Sequence, residues 1–431
     1  MNMNPQAQEL NDVIIAKNPV IFELLSDKGR GIFFPKKGIL GQTAEAKGTK
    51  INATIGAAIE DDGTPMRLQS IASKVDLDPS LVFSYASSFG RLDIRNKWKE
   101  IIYEKNSSIK TEISVPIVTS ALTHGISMAG YLFVNPGDEV IVPNLFWGNY
   151  NLGLANAYDA KLTKFNLFKN GGFDIQALKD SLMTEGEKKI IILNFPNNPS
   201  GYTPTYKEMD EIASIIKEAA QAGKKIVALI DDAYFGLVFE EGIAQESIFA
   251  YLSDLHSNVL AVKIDGATKE DYAWGFRVGF LTYAIKGGDA ALYEALEMKT
   301  AGAVRGSISN ASNLSQSLLM HGFASPDYKE QKRAKYKIMK SRFNAIKEVL
   351  TDSKYAEYFT PLPYNSGYFM CVQLKEGLDG EVIREIMINK YGIGIINLNN
   401  ILRVAFAAIA AEDAKELFDG MLAACKDYEA L

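Results

Sequence analysis

Three apolar runs, each followed by polar residues, decide the fold of this chain: KIIILNFPNNPSG (189–201), KIVALIDDAYFGL (225–237) and VLAVKIDGATK (259–269). Each run is apolar at nearly every position, which is typical of strands in a parallel sheet that helices cover on both faces. A fourth run, DEVIV (138–142), follows a Pro-Gly turn, and a helical pattern fills 206–222. The sequence therefore predicts an α/β fold with a mainly parallel, doubly wound sheet.

The residues after each run are candidates for a functional site. Sheets of this kind bind ligands beyond the carboxyl ends of their strands. Asn198 follows the first run, Asp231 and Asp232 follow the second, and Lys269 follows the third. We expect these polar clusters to form one site.

The length of 431 residues is enough for two or three domains. We predict a large domain at 66–325, where the α/β pattern lies. The pattern of the sequence changes near residue 326, so we predict a smaller α+β domain at 326–431. We expect residues 1–65 to form an N-terminal arm that associates with this domain. The role of GRGIFFPKKGIL (29–40) in this arm stays open: it either closes over the site or braces a dimer.

Composition excludes several classes of function. The net charge is −6 and no long run of Lys and Arg occurs, so we expect no nucleic-acid partner. The two cysteines and three histidines are scattered, which predicts no metal site and fits a reducing cytoplasm. The longest uncharged stretch, 113–137, contains polar residues throughout, and residues 1–10 lack a signal-peptide pattern. We therefore expect a cytoplasmic protein without a membrane span.

Three segments carry a resemblance to a known family: NFPNNPSGYTPT (194–205), DDAYFGL (231–237) and ATKEDYAWGFRVGF (267–280). In this order and spacing they resemble the motifs of class I aminotransferases, in the aspartate and aromatic aminotransferase branch. The resemblance runs from INATIGAAIEDDGTP (51–65) to the segment around Arg403. It implies a fold-type I enzyme that uses pyridoxal 5′-phosphate and forms a homodimer with shared active sites.

The resemblance implies that Lys269 is the catalytic residue, which binds the cofactor as a Schiff base and later moves a proton between substrate and cofactor. Such a lysine needs a lowered pKa. Arg277 stands eight residues further on, and the family uses that spacing to place an arginine on the cofactor phosphate.

The resemblance also implies which residues bind the cofactor ring. Asp231 would pair with the pyridine nitrogen, while Tyr234 and Asn198 would hydrogen-bond the phenolic oxygen. Trp147 would stack on the ring. Asp232 is the alternative to Asp231, which we favour because the family places its aspartate three residues before the tyrosine. The branch often has histidine where this chain has Tyr150.

The phosphate needs backbone amides at a helix N-terminus, and by resemblance Ser120, Ala121 and Leu122 supply them. The family usually has glycine at the position of Ala121 and serine at the position of Gly266. We therefore expect one phosphate contact to be missing or replaced, for which Thr268 is a candidate.

Arg403 lies in an apolar run, and a buried arginine needs an anion. By resemblance that anion is the substrate α-carboxylate, bound with help from Gly56 and Asn198; an internal salt bridge is the alternative.

Two residues resemble ones that reach the active site of the partner subunit. Tyr85 would contact the phosphate, with core packing as its alternative. Arg305 would bind the distal carboxylate of a dicarboxylic substrate, with a surface ion pair as its alternative. The segment around Arg305 has Ala311-Ser312 where the family often has two prolines.

These assignments predict an aminotransferase of amino acid metabolism that moves an amino group between aspartate, glutamate or an aromatic amino acid and a 2-oxo acid such as 2-oxoglutarate. A pyridoxal-phosphate lyase acting at Cβ, of the carbon–sulfur type, is the alternative. A non-enzymatic sensor is a remote one, because residues before the matching region lack a helix-turn-helix pattern. No strand precedes a G-x-G-x-x-G motif, which argues against a nicotinamide dehydrogenase.

Overall fold

A seven-stranded sheet forms the centre of this computed structural model, which describes residues 3–17, 22, 25, 30–31, 39–54, 56–73 and 77–431. The arm segment 29–40 lies largely outside the described residues. The strands are β1 (Ile51–Asn52), β2 (Ile117–Ser120), β3 (Glu139–Pro143), β4 (Lys161–Phe165), β5 (Phe168–Lys169), β6 (Gly172–Phe173), β7 (Lys188–Asn194), β8 (Lys225–Asp231), β9 (Val259–Asp265), β10 (Val278–Ala284), β11 (Phe359–Pro361), β12 (Met370–Leu374), β13 (Ile393–Gly394), β14 (Ile396–Leu398) and β15 (Ile401–Val404).

The order of the central sheet is β2-β10-β9-β8-β7-β3-β4. Strands β4, β3, β7, β8 and β9 run parallel, whereas β10 is antiparallel to both of its neighbours. Every residue of β10 is buried, and nearly every residue of β7, β8 and β9 is buried as well. Helices therefore cover both faces, and the predicted α/β fold class is confirmed.

The helices alternate with the strands. The α-helices are Pro5–Lys17, Ile39–Glu45, Gln69–Ala72, Pro79–Val82, Leu92–Lys105, Ala121–Phe133, Ile175–Met183, Tyr206–Gln221, Ile248–Leu252, Ala267–Glu270, Ala290–Ile308, Asn313–Ala324, Tyr328–Val349, Gly380–Tyr391 and Ala414–Glu429. A π-helical segment lies at Asn151–Asn156, and 3-10 turns lie at Trp274–Phe276, Ser353–Tyr355, Phe406–Ala408 and Ala411–Asp413.

The apolar runs predicted the strands to within a residue or so at each end. The apolar pattern of residues 276–283 would place the start of a further strand at Phe276, but β10 begins only at Val278. Phe276 ends a 3-10 turn, and Arg277 adopts a left-handed conformation with φ of 55°. The helix predicted over 206–222 spans Tyr206–Gln221, and a capping box between Thr205 and Glu208 fixes its start.

A second, antiparallel sheet of order β11-β12-β15-β14 lies in the C-terminal part. The short β1 pairs with β13, with Ile51 opposite Ile393. The Gln42 side chain donates to the carbonyl oxygen of Asn397 at 3.1 Å. Residues before 65 thus contact the C-terminal part, while the division at residues 66 and 325 stays a prediction.

The long uncharged stretch 113–137 forms β2 and the largely buried helix Ala121–Phe133. No helix within the described residues combines the length and apolar character that a membrane crossing needs. The same residues contain no group of three or more His, Cys, Asp or Glu side chains arranged to hold a metal ion.

Candidate active site

The carboxyl ends of β7, β8 and β9 bring three of the predicted residues to one edge of the sheet. Asn194 ends β7 and links its neighbours: its amide nitrogen donates to the Asp231 carbonyl oxygen at 2.7 Å, and its amide oxygen accepts from the Asn198 N–H at 2.8 Å. Asp231 is the last residue of β8, and Lys269 lies in the short helix that follows β9. The strand ends therefore set the spacing of the site.

Lys269 has the lowered pKa that its predicted chemistry requires. Burial lowers the pKa of its ammonium to about 8; the Asp231 carboxylate opposes this shift, and the Arg277 charge adds to it. The amine nitrogen lies 5.2 Å from the centre of the Tyr234 ring. The Tyr368 hydroxyl donates to the Lys269 carbonyl oxygen at 2.9 Å and fixes the turn that carries the lysine.

Asp231 is buried and well provided with hydrogen-bond donors. The Tyr150 hydroxyl donates to its Oδ2 at 2.6 Å, and the Ala233 N–H donates to its Oδ1 at 3.2 Å. Burial raises the pKa of Asp231, while the Tyr150 hydrogen bond and the Lys269 charge oppose this. The alternative, Asp232, pairs with Lys263 and accepts from Ser247 at 2.5 Å. Because that carboxylate is already engaged inside the core, the geometry favours Asp231.

Tyr150 is the partner of Asp231 that the sequence did not reveal. It is only 1% exposed, and burial holds its pKa well above the usual value, so its hydroxyl stays a donor. The Trp147 ring, which is half-buried, meets the Tyr150 ring edge-on at 5.7 Å between centroids. One feature of the sequence could have indicated this contact. Tyr150 stands three residues after Trp147, at the position where the family often has histidine.

Replacing Tyr150 with Phe is expected to lower kcat/KM about ten- to a hundredfold. The substitution removes a hydrogen bond to a buried carboxylate, and such a bond is worth about 1.5–3 kcal/mol. Steady-state kinetics of the variant measure the loss. Tyr158→Phe is the matched control, because the Tyr158 hydroxyl forms a hydrogen bond with the Ser127 hydroxyl, at 3.0 Å, on helix Ala121–Phe133. Equal kinetics for the two variants would contradict the assigned contact.

The predicted phosphate cradle lies at the end of β2. Ser120 is its last residue and stands opposite Val278 of β10. Because β10 runs antiparallel, its first residues and the preceding Arg277 come to the same edge as the cradle. Ala121 adopts a left-handed φ of 62°, a conformation that glycine reaches more easily. The alanine therefore adopts a conformation that a glycine would adopt with less strain.

Three groups near this edge suit a phosphate. The buried Thr268 Oγ1 has no hydrogen-bond partner within the described part of the chain. Arg277 is exposed and makes one long hydrogen bond, to the Trp274 carbonyl oxygen at 3.4 Å. Among the backbone hydrogen bonds that the described residues form outside helices and strands, none is donated by the N–H of Ala121 or Leu122. These donors, which are free or only weakly engaged within the described part of the chain, fit the phosphate of the implied cofactor.

Two details differ from the family pattern for physical reasons. The Ser120 N–H donates to His124 Nδ1 at 3.1 Å, so this amide is already engaged. A Cβ at Gly266 would lie 2.7 Å from the Val278 carbonyl oxygen, so the usual serine does not fit there without a shift of the backbone. Thr268, whose hydroxyl has no partner among the described residues, stays the predicted replacement.

Arg403 is a buried cation that has no acidic partner within the described part of the chain. On β15, only 3% exposed, it donates to the Thr54 carbonyl oxygen at 3.1 Å and to the Asn198 side-chain oxygen at 3.4 Å. Its guanidinium lies 4.3 Å from the centre of the Phe369 ring, and its Nε is buried without a partner among the described residues. None of the ion pairs of those residues includes Arg403, which argues against the internal salt bridge. Burial lowers its pKa, so an anion here would be favoured.

Gly56 lies near this arginine. It is exposed, and a Cβ there would be 3.6 Å from Phe369, the ring beneath the guanidinium. The structure therefore brings Gly56, Asn198 and Arg403 to one place.

Tyr85 and Arg305 do not join the site of their own chain. Tyr85 is 91% exposed, and Arg305 is exposed in the last turn of helix Ala290–Ile308. Core packing of Tyr85 is thus wrong, and no ion pair of the described residues includes Arg305. The two segments are neighbours, because Ser88 Oγ donates to the Ser309 carbonyl oxygen at 2.8 Å.

Comparison with known proteins agrees with this geometry. The family model "Aminotransferase class I and II" matches residues 49–420. A probable N-acetyl-LL-diaminopimelate aminotransferase of Bacillus subtilis is 29% identical over 236 residues, which cover 54% of this chain and 54% of that relative. An aspartate aminotransferase of Sulfurisphaera tokodaii is 28% identical over 245 residues, which cover 56% of this chain and 57% of the relative. This chain thus spans little more than half the length of these curated relatives.

A solved structure shows the same fold over nearly its whole length. An aminotransferase from Anaerococcus prevotii superposes with a TM-score of 0.82 at 23% identity, and the match covers 93% of this chain and 98% of that one.

Proposed function

This chain belongs to the class I and II aminotransferase family, and from that premise we propose that it is a pyridoxal-phosphate-dependent aminotransferase, which moves an amino group between an amino acid and a 2-oxo acid. The observation that carries the proposal is a buried lysine with a lowered pKa, Lys269, at the edge of the central sheet. At the same edge, Asn198 accepts from Arg403 of the second sheet, a buried arginine without an acidic partner in the described residues. The lysine suits proton transfer and the arginine suits an amino acid carboxylate.

The ring of the cofactor is held by four side chains. Pyridoxal phosphate, when bound, supplies an electron sink that stabilises negative charge at the substrate Cα. Asp231 holds the proton of the pyridine nitrogen, and Tyr150 keeps that carboxylate oriented. Tyr234 and Asn198 donate to the phenolic oxygen, and Trp147 covers the ring face.

Four groups, located after β2, after β9 and just before β10, would hold the phosphate. The amides of Ala121 and Leu122 and the hydroxyl of Thr268 donate to its oxygens. The guanidinium of Arg277 binds the same group, with two parallel N–H donors available for a bidentate contact. The unusual residues at 121 and 266 thus change how the phosphate is anchored and leave the cofactor itself in place.

Lys269 moves the proton. Its neutral amine takes the proton from the substrate Cα and returns it at C4′ of the cofactor. With a pKa of about 8, roughly one amine in ten is neutral at pH 7, against fewer than one in a thousand at the ordinary value of about 10.4. The burial of this lysine therefore makes a base available at neutral pH.

The pH dependence of cofactor binding follows from this pKa. Only the neutral amine of Lys269 attacks an aldehyde, so the rate at which cofactor-free protein binds pyridoxal phosphate is expected to rise with pH up to about 8 and then level off. Stopped-flow absorbance between pH 6 and pH 10 measures this. A rate that keeps rising to pH 10 would mean that the lysine is not buried in solution.

The substrate is bound through its carboxylates. Arg403, with Asn198 and Gly56, binds the α-carboxylate. Tyr85 and Arg305 of each subunit complete the site of the other in a homodimer, where Arg305 binds a distal carboxylate. Aspartate or glutamate with 2-oxoglutarate is therefore the proposed pair, with aromatic amino acids as further donors. A relative that carries the name aspartate aminotransferase supports this choice. A cytoplasmic location stays a prediction.

One experiment tests the reaction and its donor. The purified protein is titrated with aspartate, glutamate, tyrosine and alanine while its visible spectrum is recorded. Loss of the yellow band with one donor, and its return with 2-oxoglutarate, is expected. Release of pyruvate and ammonia without any 2-oxo acid would favour the lyase instead. A protein that stays colourless after incubation with pyridoxal phosphate would contradict the proposal.

A further inference from the structure

Two buried carboxylates directly follow the proposed cofactor lysine. Glu270 ends the short helix that carries Lys269, and Asp271 is its C-cap; they are 8% and 1% exposed. Two lysines from distant helices neutralise them. Lys105, the last residue of helix Leu92–Lys105, pairs with Glu270. Lys332 of helix Tyr328–Val349 lies 2.8 Å from Glu270 and 2.9 Å from Asp271. We call these four residues the lysine–carboxylate cluster.

The cluster is balanced in charge, because its two carboxylates face two lysines. Burial raises the pKa of Glu270, but Lys105 and Lys332 outweigh this and lower it to about 2. Asp271 depends on few donors: the Tyr328 hydroxyl donates to Oδ1 at 2.5 Å, and Oδ2 has no hydrogen-bond partner within the described residues. Lys332 thus balances the second negative charge almost alone.

We propose that Lys332 is a positioning residue for the reaction, which balances the charge behind Lys269 and so keeps the Lys269 amine in its neutral, reactive form. The inference rests on the proposed function of Lys269. If Lys332 is removed, two carboxylates face one ammonium, and one negative charge remains on the residues that follow the lysine. A nearby uncompensated carboxylate favours the protonated form of an amine.

The other charged and titratable groups around Lys269 stay in place when Lys332 changes. These are Asp231 and Arg277, which act on its charge, Tyr234, whose ring lies beside the amine, and Tyr368, which binds its carbonyl oxygen. None of them contacts the cluster through a hydrogen bond or ion pair of the described residues. A change in the pKa of Lys269 would therefore report the charge of the cluster.

The expected size of the effect is about one pKa unit. A unit charge at roughly 10 Å produces a shift of this order in a medium of effective dielectric constant near 20. Lys105, Glu270, Tyr328 and Lys332 also line a cavity of about 260 Å³, and water in a cavity of this size would screen the charge. A shift of several units is therefore not expected.

The test measures the titration of Lys269 in the full-length protein after removal of the cofactor. Trace acetylation at a series of pH values, quantified for the peptide that contains Lys269, gives the midpoint directly. In Lys332→Met the midpoint is expected to rise by about one unit, and the rate of pyridoxal phosphate binding at pH 7 is expected to fall about tenfold. The acetylation midpoint does not depend on whether Lys269 binds the cofactor, so it separates this inference from the proposed function.

Two further variants make the result specific to charge. Lys332→Met combined with Asp271→Asn removes one charge of each sign and keeps the Lys105–Glu270 pair, so the midpoint is expected to return to near its original value. Asp271→Asn alone keeps Lys332 and is expected to lower the midpoint. This variant tests the proposal if Lys332→Met does not fold.

Lys329→Met is the matched control. Lys329 is on the same helix but pairs with Glu104 at the surface, with side-chain exposures of 65% and 58%. No shift is expected for this variant. The proposal would be overturned if the midpoint in Lys332→Met did not change. It would also be overturned if the midpoint rose but the double variant did not restore it. A purely structural role of Lys332 would change the melting temperature alone.

Discussion

Replacing Lys269 with Ala is expected to abolish the visible absorbance band of the bound cofactor and to lower kcat/KM about a thousandfold or more. The variant loses both the amine that binds the cofactor and the base that moves the proton, and positioned acid–base catalysis alone contributes a factor of about 10² to 10⁴. Absorbance spectra and steady-state kinetics measure the two losses.

Lys286→Ala is the control for this prediction, because Lys286 is an exposed lysine outside the site. It is expected to keep the band and the rate. Added methylamine is expected to restore part of the activity of Lys269→Ala, since a small amine replaces the missing base. A Lys269→Ala protein with a normal band and rate would disprove the assigned role.

Replacing Arg403 with Met is expected to lower kcat/KM about a hundred- to a thousandfold, mainly through a higher KM for the amino acid. Removal of one partner of a buried charge pair costs about 2–5 kcal/mol, and each 1.4 kcal/mol is a factor of ten. The melting temperature of the ligand-free protein is expected to stay unchanged or to rise, because the variant no longer buries a charge that lacks an acidic partner among the residues that the structure describes. The methionine side chain still packs on Phe369.

Arg384→Met is the matched control for Arg403→Met. Arg384 is also buried, but it pairs with Glu45 at 2.7 Å and Glu381 at 2.5 Å. Its loss is expected to lower the melting temperature and to leave kcat/KM nearly unchanged. If Arg403→Met behaved in the same way, Arg403 would be a structural residue and the carboxylate site would lie elsewhere.

The positions of Asn198, Asp231 and Lys269 at one edge could be predicted because each follows an apolar run, and parallel strands end at the same edge. The start of β10 could not be predicted in this way. The apolar pattern begins at Phe276, but the chain completes a 3-10 turn and a left-handed residue at Arg277 before the strand starts. Periodicity does not detect a single residue of positive φ.

Contacts between residues far apart in the chain could not be predicted from the sequence either. The hydroxyl of Tyr150 meets Asp231 across 81 positions, and Lys105 meets Glu270 across 165. No local pattern marks such pairs. From the sequence, the absence of serine at position 266 suggested a lost phosphate contact. In the structure, the Val278 carbonyl oxygen lies too close to leave room for a side chain at this position.

The reversed direction of β10 has a consequence for how this site evolves. Asn198 and Asp231 are separated by the whole helix Tyr206–Gln221, which can accept insertions or exchange without moving either residue. Lys269 and Arg277 instead share the single connection between β9 and β10, where any inserted residue displaces one against the other. A change in the length of this connection would therefore alter the distance between the lysine and the proposed phosphate-binding arginine, whereas Asn198 and Asp231 lie at the ends of other strands and outside this connection.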